Sequence, residues 1–260
     1  NSISQEFTIL VEGGDSVAPE ITVVANATAE ATGPDGAVVE FDLTATDDVD
    51  ADVTVETSVA SGSVFPIGTT TVTATATDAA GNVATTTFDV TVEDTTAPII
   101  DAPESLTLEA TSAEGATAVF AASAVDVVTD SLTVESSVES GTVFPIGTTT
   151  VTLTTVDVAG NAATAEFDVT VVDTTAPEIS APLDLVLEAE SADGAVATFE
   201  ATSTDGISGD VTVESSVASG STFALGTTSV TLTATDAAGN VSTSSFTGTG
   251  QDTTAPELSV

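Results

Sequence analysis

Lysine, arginine and histidine are all missing from this chain of 260 residues, which carries 41 aspartates and glutamates and a formal charge of −41. Nucleic acid and anionic membrane surfaces are thereby excluded as electrostatic partners, because both are bound through cationic side chains. Cysteine is absent too, so neither disulfides nor thiolate metal sites stabilise the fold. Without lysine no Lys–Asn isopeptide cross-link can form. No run approaches the roughly 18 apolar residues of a membrane span, so direct membrane insertion is not expected. No secretory leader is visible, but the sequence starts partway through a repeat, so any signal is expected upstream. Such an acidic balance ordinarily points to disorder. Here 41% of residues are hydrophobic and only 16% charged, enough apolar side chain for a core. The missing counterpart is cationic, either a salt atmosphere or bound metal.

What the chain does have is a period. Asp15-Ser-Val-Ala-Pro19, Asp94-Thr-Thr-Ala-Pro98, Asp173-Thr-Thr-Ala-Pro177 and Asp252-Thr-Thr-Ala-Pro256 stand 79 residues apart with no insertion or deletion between copies. A fixed period of this size marks a tandem array of structural units. The repeats run over 15–93, 94–172 and 173–251. Residues 1–14 match the last strand of a preceding repeat followed by Gly13-Gly14, and 252–260 begin a further one. The chain is thus expected to be a segment of a longer array.

Alternating Val, Thr, Ile and Ala, punctuated by turn residues, predict an all-β sandwich in each repeat, with no helix signals. In Thr71–Thr77 the spacing turns Val72, Ala74 and Ala76 inward and the threonines outward. Asp78-Ala-Ala-Gly-Asn82 predicts a tight turn with Gly81 at positive φ. The following strand, Val83 to Val92, sets Phe88, Val90 and Val92 on its inner face. Nine of the ten phenylalanines fall on three repeat positions: Phe41, Phe120 and Phe199; Phe65, Phe144 and Phe223; Phe88, Phe167 and Phe246. The tenth, Phe7, belongs to Phe7–Glu12, which parallels Phe88–Glu93. Every aromatic residue is therefore a core candidate, and none is left to stack on a sugar or a base.

These motifs carry a resemblance. Asp-Thr-Thr-Ala-Pro at the start, Ser61-Gly-Ser-Val-Phe-Pro-Ile-Gly-Thr-Thr70 in the middle and Thr77-Asp-Ala-Ala-Gly-Asn82 near the end make each unit similar to a hyalin repeat (HYR) domain. That family is an immunoglobulin-like β-sandwich found in tandem in extracellular and cell-surface proteins. The resemblance implies three tandem immunoglobulin-like β-sandwiches in an elongated array, acting as adhesive or spacer modules rather than enzymes. Animal members usually carry a cysteine pair; Ala102 and Ala165 stand at those places in the second repeat. In the third repeat Gly248 and Gly250 replace the inward pairs Val90/Val92 and Val169/Val171. Two readings of that exchange stay open: sequence drift, or close approach of another chain along the strand.

In an immunoglobulin-like sandwich the incoming linker reaches the pole that carries the BC and FG loops. That geometry brings together Asp15, Asp47, Asp78 and Asn82 in the first repeat, Asp94, Asp126, Asp157 and Asn161 in the second, and Asp173, Asp205, Asp236 and Asn240 in the third. Calcium takes about six to eight hard oxygen ligands, which carboxylates, amide carbonyls and backbone carbonyls supply. These twelve residues are the candidate Ca2+ ligands, with Asp48, Asp50 and Asp52 available to complete the first site. The competing reading makes each Asp a turn-forming residue that caps local N–H groups. Glu30, Glu109 and Glu188, like Glu56, Glu135 and Glu214, read as solvated strand faces. Asn26-Ala-Thr28 and Asn240-Val-Ser242 fit the glycosylation sequon, and a glycan on Asn240 would compete with metal ligation there.

The resulting expectation is a structural one: a spacer, stalk or filament segment of a secreted or cell-surface protein, stiffened by calcium at its joints. Its partners are the neighbouring repeats and other copies of itself. The alternatives are a calcium-dependent adhesin binding glycan or protein, or a filament subunit that polymerises by donating the strand at residues 3–12. An enzyme is not expected, since carboxylates are the only acid–base groups and no pair of them stands outside the repeat pattern.

Overall fold

The structure, a computed structural model, describes residues 13–23 and 26–256. The expectations for Phe7–Glu12 and the donated strand lie outside the described residues. Eight strands form the first repeat: β1 (Glu20–Val23), β2 (Ala27–Glu30), β3 (Ala37–Val39), β4 (Leu43–Thr46), β5 (Thr54–Thr57), β6 (Ser63–Phe65), β7 (Gly68–Thr77) and β8 (Val83–Glu93). One sheet has the order β2-β8-β7-β5; β1 pairs with β4 and β3 with β6. β2 runs parallel to β8, with Glu30 opposite Glu93, and β7 runs antiparallel to β8. Among the described residues there is no helix, and so none long and apolar enough to cross a membrane.

The two long strands form where the sequence alternates most strictly. Val72, Ala74 and Ala76 of β7 and Val90 and Val92 of β8 are fully buried, while the intervening threonines face outward. Around them the core gathers Val39, Phe65 and Phe88, with Val23, Phe41 and Leu43 packed at its margin. The Phe41 ring meets Phe88 edge-on at 4.9 Å, and Phe120 meets Phe167 at the same distance. Gly81 takes φ 90°, and the turn closes through Asp78 N–H to the Asn82 carbonyl at 3.2 Å.

The described chain divides into two compact units. The first comprises residues up to Asp101 with Ala122–Glu135 and Leu153–Ala165; the second comprises Ala102–Ala121, Ser136–Thr152 and Glu166 onward. In the first unit, beyond the strands above, Ile99–Asp101 pairs with Ser123–Val125. In the second, Leu106–Glu109 pairs in parallel with Val169–Val172, and Ala116–Thr117 pairs with Val143–Phe144. The third repeat, also in the second unit, restates the first: Leu185–Glu188 lies parallel to Val241–Gln251, which pairs antiparallel with Gly226–Thr235. The architecture is all-β, three sandwiches in tandem.

At Gly248 the third repeat departs. A Cβ there would overlap Cδ2 and Cε2 of the Phe223 ring, and one at Gly250 would lie 2.7 Å from the Ala224 carbonyl oxygen. The space of two valines is taken by this repeat's own side chain and backbone, which decides against an approaching second chain at Gly248.

Candidate metal centre

Three aspartates converge at the linker-bearing pole of each repeat, and each is set there by backbone hydrogen bonds to one carboxylate oxygen. From the linkers, Asp15 Oδ1 accepts Val17 N–H at 3.0 Å, Asp94 Oδ1 accepts Thr96 N–H at 3.3 Å, and Asp173 Oδ1 accepts Thr175 N–H at 3.2 Å. In the loop after β4, Asp47 Oδ1 accepts the amides of Val49 and Asp50, each at 3.0 Å. Asp126 does the same for Val128 and Thr129, and Asp205 for Ile207 and Ser208. These are the local turns that favour Asp at such positions, and they fix Oδ1 while leaving Oδ2 free.

Asp78, Asp157 and Asp236 enter from the β7–β8 turn and its counterparts. Both oxygens of Asp78 accept from Asn82, its backbone N–H and its Nδ2–H2 each at 2.7 Å. Asn161 and Asn240 hold Asp157 and Asp236 alike.

One carboxylate oxygen of each aspartate lies within 4.8 Å of one from every other in its group: Asp15, Asp47, Asp50 and Asp78; Asp94, Asp126 and Asp157; Asp173, Asp205 and Asp236. Of the acids near the first site, Asp50 joins the group, and Asp48 and Asp52 are not in it. Asp50 stands where the other repeats have Thr129 and Ser208, and all three bond the amide at the head of the neighbouring turn. The three asparagines sit beside the carboxylates as donors. Asn82, Asn161 and Asn240 also give Nδ2–H2 to the linker carbonyls of Asp15, Asp94 and Asp173 at 3.3, 3.1 and 3.0 Å.

The electrostatics follow from this geometry. Burial raises the carboxyls of Asp78, Asp157 and Asp236, but the asparagine bonds outweigh it and hold all three below the ordinary aspartate range. Asp94 goes the other way. Burial pushes it up, and the negative charges of Asp126, Asp157 and Glu30 add to that against one bond from Thr96. Asp94 and Asp205 are each 8% exposed, and the Oδ2 atoms of Asp15, Asp47, Asp94 and Asp205 are buried with no hydrogen-bond partner. A buried carboxylate oxygen is ordinarily paired, by a donor group, a water or a cation.

Beside this cluster lies a device absent from the solvated-face reading of Glu30, Glu109 and Glu188. Glu30 accepts Thr95 N–H at 2.8 Å, Thr95 Oγ1–H at 2.7 Å and Thr96 Oγ1–H at 2.7 Å. Glu109 binds Thr174 and Thr175 in the same way, and Glu188 binds Thr253 and Thr254. For Glu30 the Thr95 hydroxyl and amide do most to hold the carboxyl below its ordinary range; for Glu109 and Glu188 the amides of Thr174 and Thr253 lead. The 65-residue interval from Glu to the first Thr is constant, but a strict 79-residue period makes every such interval constant, so it does not single out this pair. Glu56, Glu135 and Glu214 are exposed, as the strand-face reading expects. The sequon asparagines have structural duties: Asn26 Oδ1 accepts Asp89 N–H at 3.2 Å, and Asn240 Nδ2 donates to Asp173, Thr175 and Asp236.

The HYR domain model matches residues 14–92, 93–171 and 172–249. Hyalin of Strongylocentrotus purpuratus is 38% identical over 133 residues, 48% of this chain and 11% of that protein. Hyalin of Lytechinus variegatus is 38% identical over 130 residues, 47% of this chain and 24% of that protein. The chain thus aligns with a quarter or less of the length of either relative. Among solved structures, the protocadherin gammaB7 EC3-6 cis-dimer is 18% identical, with a TM-score of 0.33 over 89% of this chain and 77% of that one. Mouse cadherin-23 EC22-24 is 12% identical, with a TM-score of 0.34 over 90% and 99%. With three successive matches spanning nearly all of its length, this chain belongs to the HYR domain family of extracellular and cell-surface repeats.

Proposed function

We propose that this chain is a spacer segment of an extracellular repeat protein, in which calcium at each linker-bearing pole fixes the linker to the repeat that follows it, in the service of adhesion or extracellular assembly. The observation that carries the metal is the Asp94 carboxylate: buried, raised in pKa, one oxygen without a partner and two further carboxylates within reach. Asp94, Asp126 and Asp157 would hold the ion in the second repeat and Asp173, Asp205 and Asp236 in the third. Asp15, Asp47, Asp50 and Asp78 would hold it in the first. All donors are hard oxygens, and the chain has no sulfur or imidazole to favour a softer metal. Bound calcium supplies charge neutralisation; the chain's own residues order the site through the turns at Asp47, Asp126 and Asp205 and the asparagine bonds. The HYR family and its relatives are structural and adhesive modules, which supports spacing over catalysis.

The test is a melt and a solution-scattering measurement with calcium and with excess chelator. Calcium at about 100 times its Kd should raise stability by about 2.7 kcal/mol per site in a repeat that binds it only when folded. Identical melting temperature and scattering-derived length in both conditions would sink the calcium reading. Asp94→Asn should remove one site's share of the shift.

A further inference from the structure

Val128 lies in the loop after the strand Ser123–Val125, in the second repeat, yet it is 7% exposed and belongs to the hydrophobic core of the first repeat, with Ala31, Ala37, Phe65 and Val92. Its backbone is set by Asp126, whose Oδ1 accepts Val128 N–H at 2.8 Å. On the same side Glu30, at the end of β2, grips Thr95 and Thr96 of the linker. Val49 has the same register in the first repeat and is 67% exposed. The matching side chain of the third repeat, Ile207, is half-buried. Together with Ala113 and Ile146 of the second repeat and Ala237 and Ala238 of the third, it lines a cavity of about 220 Å³.

We infer that the pole of each repeat is a docking surface for the base of the HYR repeat before it. The apolar residue of the loop after β4, or of its counterpart, is the plug. The glutamate at the end of β2 or its counterpart is the latch, and this joint closes without a cation. The partner is fixed by the seat: an apolar surface, with Ala31 and Ala37 among its residues at the first joint and Ala113 and Ile146 at the second, next to a carboxylate that takes a Thr-Thr pair. The plug is driven by removal of apolar surface from water and the latch by charge-assisted hydrogen bonds, neither of which involves the metal-facing oxygens. The first joint is tightly seated by Val128, whereas the second leaves room around Ile207. This inference adds to the calcium reading and does not depend on it.

The chain has no cysteine, so spin labels on Thr85→Cys and Thr164→Cys, both exposed, report one distance between the first and second repeats. In excess chelator the labelled chain should show one narrow distance peak. Val128→Asn and Glu30→Gln should each lose that peak to a broad distribution, and Val49→Asn should keep it. A narrow peak retained in Val128→Asn, or a parent chain already as broad as that variant in chelator, overturns the inference. Should Val128→Asn unfold a repeat by hydrogen exchange, Val128→Ala decides: a broadened peak with both repeat cores still protected supports the plug, and an unchanged peak defeats it. Added calcium that leaves the parent distribution and melting temperature unchanged counts against the calcium reading alone.

Discussion

Val90 and Val92 are fully buried in the first repeat, beside Phe65, whose ring centroid lies 6.2 Å from that of Phe41. In the third repeat Gly248 and Gly250 hold those positions, Ala224 replaces Pro66, and the Phe223 ring and Ala224 backbone close over the strand. Leu225 forms an isolated bridge to Gly250 beside them. Two large-to-small changes in a core would ordinarily leave a void and cost several kcal/mol. Here the neighbouring aromatic and its loop fill the space. The same backbone register tolerates two packing solutions because Val72 and Val230, at the centre of each core, remain fully buried in both.

The difference can be broken from either side. Phe223→Ala should have the largest effect, about 3–5 kcal/mol, and should exceed Phe65→Ala because Phe223 also fills the valine space. Hydrogen exchange on the whole chain, which assigns the loss to one repeat, is the measurement; equal losses at the two sites would undo the compensation argument. Val90→Gly should cost about 2–4 kcal/mol from lost burial and strand flexibility. Gly248→Val should cost about 1–3 kcal/mol by overpacking against Phe223, and Phe223→Leu in the same chain should recover part of it. Ser242, with a buried unpartnered hydroxyl where the other repeats have Ala84 and Ala163, should gain about 1 kcal/mol as Ser242→Ala.

The smallest effect sharpens a likeness instead. Glu109 is held below its ordinary range by the amide and hydroxyl of Thr174. A depressed folded-state pKa contributes stability that is full above the unfolded value, about 4.3, and lost as pH falls through the lower folded value. The melting difference between the parent and Glu109→Gln should therefore be present at neutral pH and vanish in acid below that range. A difference independent of pH would show that the carboxylate charge is not what holds the linker.

Much of this was legible because the long strands obey one rule. β7 and β8 alternate without exception over the core, and Gly81 and the phenylalanines repeat at fixed places. The aspartate groups were legible too, since linker and loops meet at one pole in any such sandwich. Asp50 was not separable from Asp48 and Asp52 in sequence, because only the turn made by Asp47 decides which of them faces inward. The Glu30 latch was hidden for a different reason. An acid on the exposed face of a four-residue strand looks solvated until the parallel register sets Glu30 opposite Glu93, one residue before the linker. Val128 was hidden because its burial is provided by another repeat.

The linker Asp94–Pro98 answers to two masters: Glu30 holds its threonines from behind, and Asn161 holds its first carbonyl from ahead. A module cut at that linker would lose a partner at each end, so a 79-residue step, wherever it starts, keeps each linker between the same two kinds of group. Adding or removing one whole step would leave every seam with those groups on both sides. Length can then change in whole steps while each remaining joint keeps its chemistry.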